Sequence, residues 1–478
     1  MEVFHVVLQR VESVILVYFL IVNSFYALLM ASAAWELRSY RLRSWLEDQS
    51  RLLGSPVAPR VSMLAPAHNE GPTVAESVRS LLTLRYPNLE VVLVNDGSTD
   101  DTMQVLQREF GLVPVHRMYR RSVEHKPVVA LYSSPDNPGL VVVDKENGGK
   151  ADALNAGMNI ASGDLACAID ADTLIEADAL LRMVAPFLTG DDVVATGGTI
   201  RVANGASVRA GRVLEARVPH QALAGIQVTE YLRAFLVGRL GWNRLGGNLI
   251  ISGAFGLFRR DSVLAAGGYT EGTVGEDMEL VVRLRRRGLD HGLPNRVVFV
   301  ADPVAWTEVP SSMKVLGSQR DRWHRGLSDV VWRNRGLFFN PRYGSLGLVV
   351  FPYYVIVELL APVVEAFGLI GLTLGIATGS IDVSFAALFF LVAYGYALVL
   401  DALTLLLEEL SYRRYHRMSD RLWLLLWAAM GSIGYRQCTV FWRLRGIKKF
   451  LQKRTDWGTM TRAGFHASEQ PEAPGPQV

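Results

Sequence analysis

Apolar and polar positions divide this chain into zones. Val14 to Trp35 runs without a charge, long enough for one membrane crossing. From about residue 40 to 340 the composition is that of a soluble domain, and then the apolar character returns. Leu346 to Gly379 is apolar apart from Glu358 and Glu365, and Val383 to Leu407 apart from Asp401. A weaker run, Leu422 to Trp442, is interrupted by Arg436 and holds many small and polar residues.

Within the soluble zone the pattern alternates between strand and helix. Val61 to Ala65 reads as a strand ending in Pro66-Ala67-His68-Asn69-Glu70, with a helix following at about Thr73 to Leu84. Glu90 to Val94 is the next strand, ending in Asn95-Asp96-Gly97-Ser98-Thr99-Asp100. Leu140 to Val143 leads to Lys145-Glu146-Asn147-Gly148-Gly149-Lys150, and a helix opens near Ala151. Leu165 to Ile169 ends in Asp170-Ala171-Asp172. This alternation predicts an α/β fold with a mostly parallel, Rossmann-like sheet, whose ligands sit beyond the carboxyl ends of the strands. His116 to Asn137 fits no element of the pattern.

Charge orients the membrane segments. The leading residues hold Glu2 and Glu12 against Arg10, whereas Arg38, Arg41 and Arg43 follow the first run. A cleaved signal peptide needs a basic start, so Ala31-Ser32-Ala33 is not read as a cleavage site. The positive-inside rule places the N-terminus outside and residue 40 onward in the cytoplasm. The link around Ser380-Ile381-Asp382 has no base and suits the outside. Arg413, Arg414, Arg417 and Arg421 suit the cytoplasm, as does the tail with Arg443, Arg445, Lys448, Lys449, Lys453 and Arg454. Both flanks of 422–442 therefore want one side, and the run is expected to be interfacial or re-entrant. After about 465 the chain is polar and proline-rich, and disorder is expected. The expected division is a transmembrane anchor at 1–40, a cytoplasmic domain at 55–335, membrane or interfacial helices at 343–445, and a basic, then disordered tail at 446–478. The whole is expected to be a multi-pass protein of the plasma (inner) membrane.

Composition adds little beyond this. Among 478 residues, 50% are hydrophobic and the mean hydropathy is +0.20. A net charge of +3 gives no support to nucleic-acid binding. Cys167 and Cys438 lie too far apart in sequence to suggest a zinc or disulfide framework.

Candidate chemistry gathers at the strand ends. Asp170 and Asp172 are costly to hold together unless a cation joins them, and a hard divalent ion that also binds phosphate would do so. Turn aspartates capping a helix are the plainer reading of such a pair. Asp96, helped by Glu70, can accept from the N–H of a pyrimidine ring, and Lys150 supplies positive charge for phosphate. Gly275-Glu276-Asp277 opens an amphipathic helix, where an ionised carboxylate is stabilised and can serve as a general base. Gln319-Arg320-Asp321-Arg322-Trp323, with Arg325, offers guanidinium groups for a diphosphate and a flat ring for a sugar. A basic helix near a membrane with an interfacial tryptophan reads the same way.

The ordered set Asp96, Asp170-x-Asp172, Asp277 and Gln319-x-x-Arg322-Trp323 resembles the membrane-embedded family 2 glycosyltransferases, such as cellulose, hyaluronan and poly-N-acetylglucosamine synthases. The resemblance covers about residues 60 to 330 and implies a GT-A type nucleotide-sugar domain. Glycine stands at 275 where that family usually has threonine. The tail is too short and polar for the cyclic-dinucleotide barrel that some cellulose synthases carry.

By resemblance, sugar transfer from a UDP-sugar is a direct displacement with inversion. Glu70 and Asp96 would hold the uracil. Asp172, with Asp170, would place Mg²⁺ or Mn²⁺. Lys150, Gln319 and Arg322 would attend the diphosphate, Asp277 beside Glu276 would take the acceptor proton, and Trp323 would hold the acceptor sugar. Ile251 to Gly256 would underlie the acceptor, and Gln227, Glu230 and Tyr231 would either line it or belong to a buried structural helix. Trp306 to Pro310 would form a loop over the site. Glu358, Glu365 and Asp401, acids in or near membrane segments, are candidate functional positions, with a place at the membrane interface as the alternative. The expected acceptor is a growing glycan on a processive synthase, with membrane lipid around it and accessory export subunits as partners. Addition of one sugar to a lipid is the alternative, and a non-enzymatic export or nucleotide-sensing protein is a third.

Overall fold

The computed structural model describes residues 2–46, 58–170, 173–209, 211–380 and 383–454. Asp172, the end of the link at Ile381-Asp382, and the tail from residue 455 lie outside the described residues.

Twelve strands form in chain order: β1 Val61–Ala67, β2 Leu89–Asp96, β3 Val113–Pro114, β4 Val128–Ser133, β5 Leu140–Lys145, β6 Leu165–Ile169, β7 Leu174–Ile175, β8 Val193–Val202, β9 Ser207–Arg209, β10 Arg212–Glu215, β11 Phe255–Arg259 and β12 Arg296–Thr307. Ten of them make one sheet in the order β3-β4-β5-β2-β1-β6-β11-β8-β12-β7, and β9 pairs with β10 apart from it. β5, β2, β1 and β6 run parallel, as do β8 and β12, while β11 runs antiparallel to both β6 and β8. The four parallel strands read as near-continuous apolar runs because helices cover both faces. On one face Val74, Val78 and Leu81 of the helix Val74–Leu82, spaced for a single stripe, pack with Met63, Val91 and Leu93. On the other, Ala153, Leu154 and Ala156 of the helix Lys150–Ile160 pack with Leu64, Val92 and Val94.

The segment that fitted no pattern, 116–137, supplies β4, the strand next to the short edge strand β3 and antiparallel to β5. Its burial is only partial, so no apolar run marks it. Before the strand, Asn159 ties Ser122 and Val123 to the helix Lys150–Ile160 through hydrogen bonds of 2.7 to 3.2 Å.

Two helical stretches among the described residues are long and apolar enough to cross a membrane, Arg10–Leu42 and Val383–Ser411. Leu346–Leu359 and Ala361–Ala377 make a third if the pair, bent by 42°, is one span. The first span belongs to a helix that continues unbroken to Leu46. The run 422–442 is split by a break at Ile433 and Gly434, which leave helical dihedrals between Met418–Met430 and Arg436–Leu451. The second piece lies along the helix Met313–Arg333, where Asp321 pairs with Arg445 at 2.9 Å and Lys449 at 2.6 Å.

A buried ion pair is among the contacts that tie the sheet to the membrane helices. Arg201 at the end of β8 meets Glu408 near the end of Val383–Ser411 at 2.7 Å.

Candidate active site

The first part of the site forms where β1, β2 and β5 end side by side. Asp96 is 3% exposed. Its Oδ1 accepts from Lys145 Nζ at 2.6 Å and from Gly148 N–H at 3.0 Å, and its Oδ2 accepts from Gly149 N–H at 2.7 Å. Asp96 therefore fixes the glycine loop, and Oδ2 keeps one acceptor position. Lys145 is itself buried and also pairs with Asp152. Nothing in the sequence pattern set it apart from an ordinary strand-end lysine. Gly97 sits at φ +62°, and a Cβ there would meet Asn147 N at 2.6 Å, so the turn needs glycine. Glu70 Oε2 accepts from the Thr73 hydroxyl at 3.0 Å, at the start of the helix Val74–Leu82.

The glycine loop leads directly to the second part. Lys150, the first residue of its helix, places Nζ 2.6 Å from Asp170 Oδ1 at the end of β6 and 3.7 Å from Glu276 Oε1. Burial alone would lower the pKa of this ammonium; the Asp170 and Glu276 carboxylates outweigh burial and raise it. Burial raises the pKa of Glu276, with Lys150 opposing. Asp277 lies in the first turn of Glu276–His291. Its Oδ1 accepts from Met278 N–H at 2.7 Å and its Oδ2 from Gly253 N–H at 3.1 Å, so it joins the turn before β11 to the helix start.

The third part is the helix Met313–Arg333. It touches the start of Glu276–His291 backbone to backbone: a Cβ on Gly275 would meet Gly326 Cα at 3.2 Å. Glycine replaces the family's usual threonine at this contact. Arg320 pairs with Glu230 at 2.6 Å and lies 4.4 Å from the centre of the Trp323 ring. Trp323 is 44% exposed. Gln319 is buried with its Oε1 unpartnered. Asp321 and Arg325 turn away, Asp321 to Arg445 and Lys449, and Arg325 to the Arg454 carbonyl at 3.1 Å.

One cavity of about 1160 Å³ joins these parts to the membrane helices. Lys150, Asp170, Glu276, Asp277, Gln319, Arg322 and Trp323 line it, and so do Glu358, Glu365 and Asp401. Glu70 and Asp96 are not in its lining; Asp96 reaches it through Gly148-Gly149-Lys150. Glu230 and Tyr231 line it, whereas Gln227 is buried and donates to the Leu223 and Pro310 carbonyls. Thr307 to Pro310 line it, but Trp306 is buried, with its indole N–H on Glu176 at 2.8 Å. Trp306 is thus a strand-end anchor and not part of a loop over the site.

Among the described residues no three acidic, imidazole or thiol groups converge as a metal centre. The donor set still suits a hard cation. Asp170 opens into the cavity, and the Lys150 ammonium occupies the position of a positive charge beside it. One or two carboxylates plus substrate phosphates is the usual magnesium arrangement.

Comparison with known proteins follows this geometry. The model of glycosyl transferase family 2 matches residues 62–263, and that of glycosyl transferase family group 2 matches 167–400. Poly-beta-1,6-N-acetyl-D-glucosamine synthase of Staphylococcus aureus is 27% identical over 299 residues, covering 62% of this chain and 60% of the relative. The probable glycosyltransferase YdaM of Bacillus subtilis is 28% identical over 297 residues, with the same coverage. The chain thus matches about 60% of the length of these curated relatives. A solved structure of the mannosyltransferase PcManGT from Pyrobaculum calidifontis, in complex with GDP-Man and Mn²⁺, aligns at TM-score 0.49 and 20% identity, covering 86% of this chain and 99% of that one. With the two family models together spanning residues 62–400, the chain belongs to glycosyl transferase family 2.

Proposed function

We propose that the protein is an inverting polysaccharide synthase that uses a UDP-sugar and extends a β-linked glycan held in a passage through its own membrane helices. The observation that carries the reading is the continuity of one cavity, from Asp170 and Asp277 to Glu365 and Asp401 on otherwise apolar helices. An enzyme that adds one sugar and releases it needs no polar space at that depth. The basic stretch Arg413 to Arg421 supports a cytoplasmic catalytic domain.

In this reading the uracil lies against Glu70 and Asp96, and the diphosphate crosses the glycine loop toward Lys150 and Arg322. Asp277 accepts the proton of the acceptor hydroxyl as its oxygen attacks the anomeric carbon. The bond from that carbon to the diphosphate oxygen breaks, and UDP leaves with the electron pair. Lys150 and Arg322 would stabilise the charge that develops on the diphosphate. Asp170 and Asp172 would hold Mg²⁺ or Mn²⁺, which when bound supplies further charge stabilisation to the departing UDP. Trp323, stacked on Arg320, is the platform for the acceptor sugar.

The test is a panel of UDP-sugars, beginning with UDP-N-acetylglucosamine, with UDP release and product length read together. Polymer is expected from the wild type. Asp277→Asn keeps the capping oxygen but cannot take a proton, so transfer should fall by at least ~10²-fold while UDP still binds. A product limited to monoglycosylated lipid with every donor overturns the synthase reading. Near-normal transfer by Asp277→Asn moves the base to Glu276.

A further inference from the structure

Charged residues at membrane depth are costly unless they pair and face a cavity. Here they are arranged in levels along the span Val383–Ser411. Glu408 pairs with Arg201 of the catalytic sheet. Asp401 lies seven residues earlier, about 10 Å further along at the helical rise, and pairs with Arg233 at 2.9 Å. The Ala393 carbonyl, about 12 Å beyond that, accepts from Arg436 at 2.8 Å.

The two upper levels differ in what they leave open. At the far level each nitrogen of Arg436 is engaged: Nε is 2.7 Å and Nη2 3.1 Å from the Glu365 carboxylate, and Nη1 meets Ala393. The Tyr394 and Phe19 rings flank that guanidinium at 5.0 and 5.9 Å. Beyond it the cluster of Ile15, Leu372, Ala386 and Phe389 is apolar. At the middle level Arg233 makes one hydrogen bond among the described residues, Nη1 to Asp401. Among the described residues no acceptor meets its Nε or Nη2. Its side chain is 44% exposed, and it lines the cavity. The stretch Arg233–Arg239 is π-helical, a local widening that recurs at functional positions.

We propose that Arg233, fixed by Asp401, is a holding station for an uncharged pyranose of the growing chain. Its Nε–H and Nη2–H donate to hydroxyl or acetamido carbonyl oxygens. The Asp401 carboxylate already balances the guanidinium, so the station holds no spare charge for a uronate. Between additions, UDP departs and the terminal sugar rests on Trp323; a second hold lowers the chance that the chain escapes. This inference rests on the synthase reading and assigns a residue to it.

The experiment uses full-length protein in lipid nanodiscs with UDP-N-acetylglucosamine and Mg²⁺ or Mn²⁺. Product length and donor KM are measured together. Arg233→Ala removes the charge-assisted donors, so chains about tenfold shorter are expected at unchanged donor KM. Arg233→Lys keeps the charge without the planar fork, and intermediate lengths are expected. The exchange Arg233→Asp with Asp401→Arg restores an ion pair but turns a carboxylate toward the sugar, so its chains should stay short. Wild-type lengths from Arg233→Ala, or from the exchange, overturn the station; the second result would make the pair structural. A wild type that forms polymer while these variants match it sinks this inference alone, whereas a wild type that forms none sinks the synthase reading with it.

Discussion

Glu408→Ala tests how the catalytic sheet is held to the membrane helices. Arg201 and Glu408 have side chains 2% and 4% exposed, and Arg201 Nη2 donates to both carboxylate oxygens at 2.8 and 2.7 Å. The Tyr412 and Tyr415 rings lie 5.6 and 6.0 Å from the guanidinium carbon. Among the described residues Arg201 Nε and Nη1 have no hydrogen-bond partner. Removing Glu408 therefore leaves a buried cation beside two ring faces. Breaking a buried pair in this way costs ~3–5 kcal/mol, whereas replacing both partners by apolar groups is near neutral or stabilising. Glu408→Ala and Arg201→Met should each lower the unfolding midpoint by roughly 6–15 °C, taking about 2–3 °C per kcal/mol. The double variant Arg201→Met with Glu408→Leu should recover most of that loss. The assay is thermal unfolding in detergent, followed by tryptophan fluorescence, as a double-mutant cycle. Single variants that unfold with the wild type, or a double variant no better than the singles, refute the reasoning.

Other outcomes follow from particular contacts. Gly275→Thr, which restores the family's usual residue, should destabilise by ~1–3 kcal/mol through overpacking against Gly326, checked in the same unfolding assay. His324 donates from Nε2 to the Leu359 carbonyl at 3.2 Å and accepts from Arg443 at 3.3 Å on Nδ1, a neutral ring. Burial, then the Arg443 charge, lowers its pKa from 6.5 to about 3. Only the unfolded chain takes a proton between those values, so stability should fall as pH drops from 6.5 toward 3, by up to ~1.4 kcal/mol per unit. His324→Gln should flatten that slope between pH 7.5 and 5, read as unfolding midpoints, and an unchanged slope would point to other groups. Asp172→Ala should abolish turnover and the divalent-ion dependence of UDP binding by titration; full activity would make the Asp-x-Asp structural.

Much of the fold was legible because it rests on local periodicity. β6 spans Leu165–Ile169 as its apolar run predicts, and β1, β2 and β5 each extend only a little past theirs. β4 was not legible, since a half-buried strand flanked on its outer side by only the two residues of β3 has no uniform pattern. Lys145 was missed for a related reason. A buried lysine between two aspartates looks in sequence like any strand-end lysine, and its partners Asp96 and Asp152 come from other elements.

The sequence by itself determined which chemistry is present and in what order: four acidic motifs, a glycine loop with a lysine, an arginine–tryptophan helix, and apolar segments before and after. These depend on residue type and short spacing, which a linear chain records. Only the tertiary structure decided which groups share a space. It bound Asp96 to the glycine loop, turned Asp321, Arg325 and Trp306 away, and joined Asp277 to Asp401 through one cavity. It also paired Arg233 with Asp401 across 168 residues and Arg201 with Glu408 across 207. A side chain's direction and its distant partner are set when helices and sheet pack together, and no local pattern encodes them.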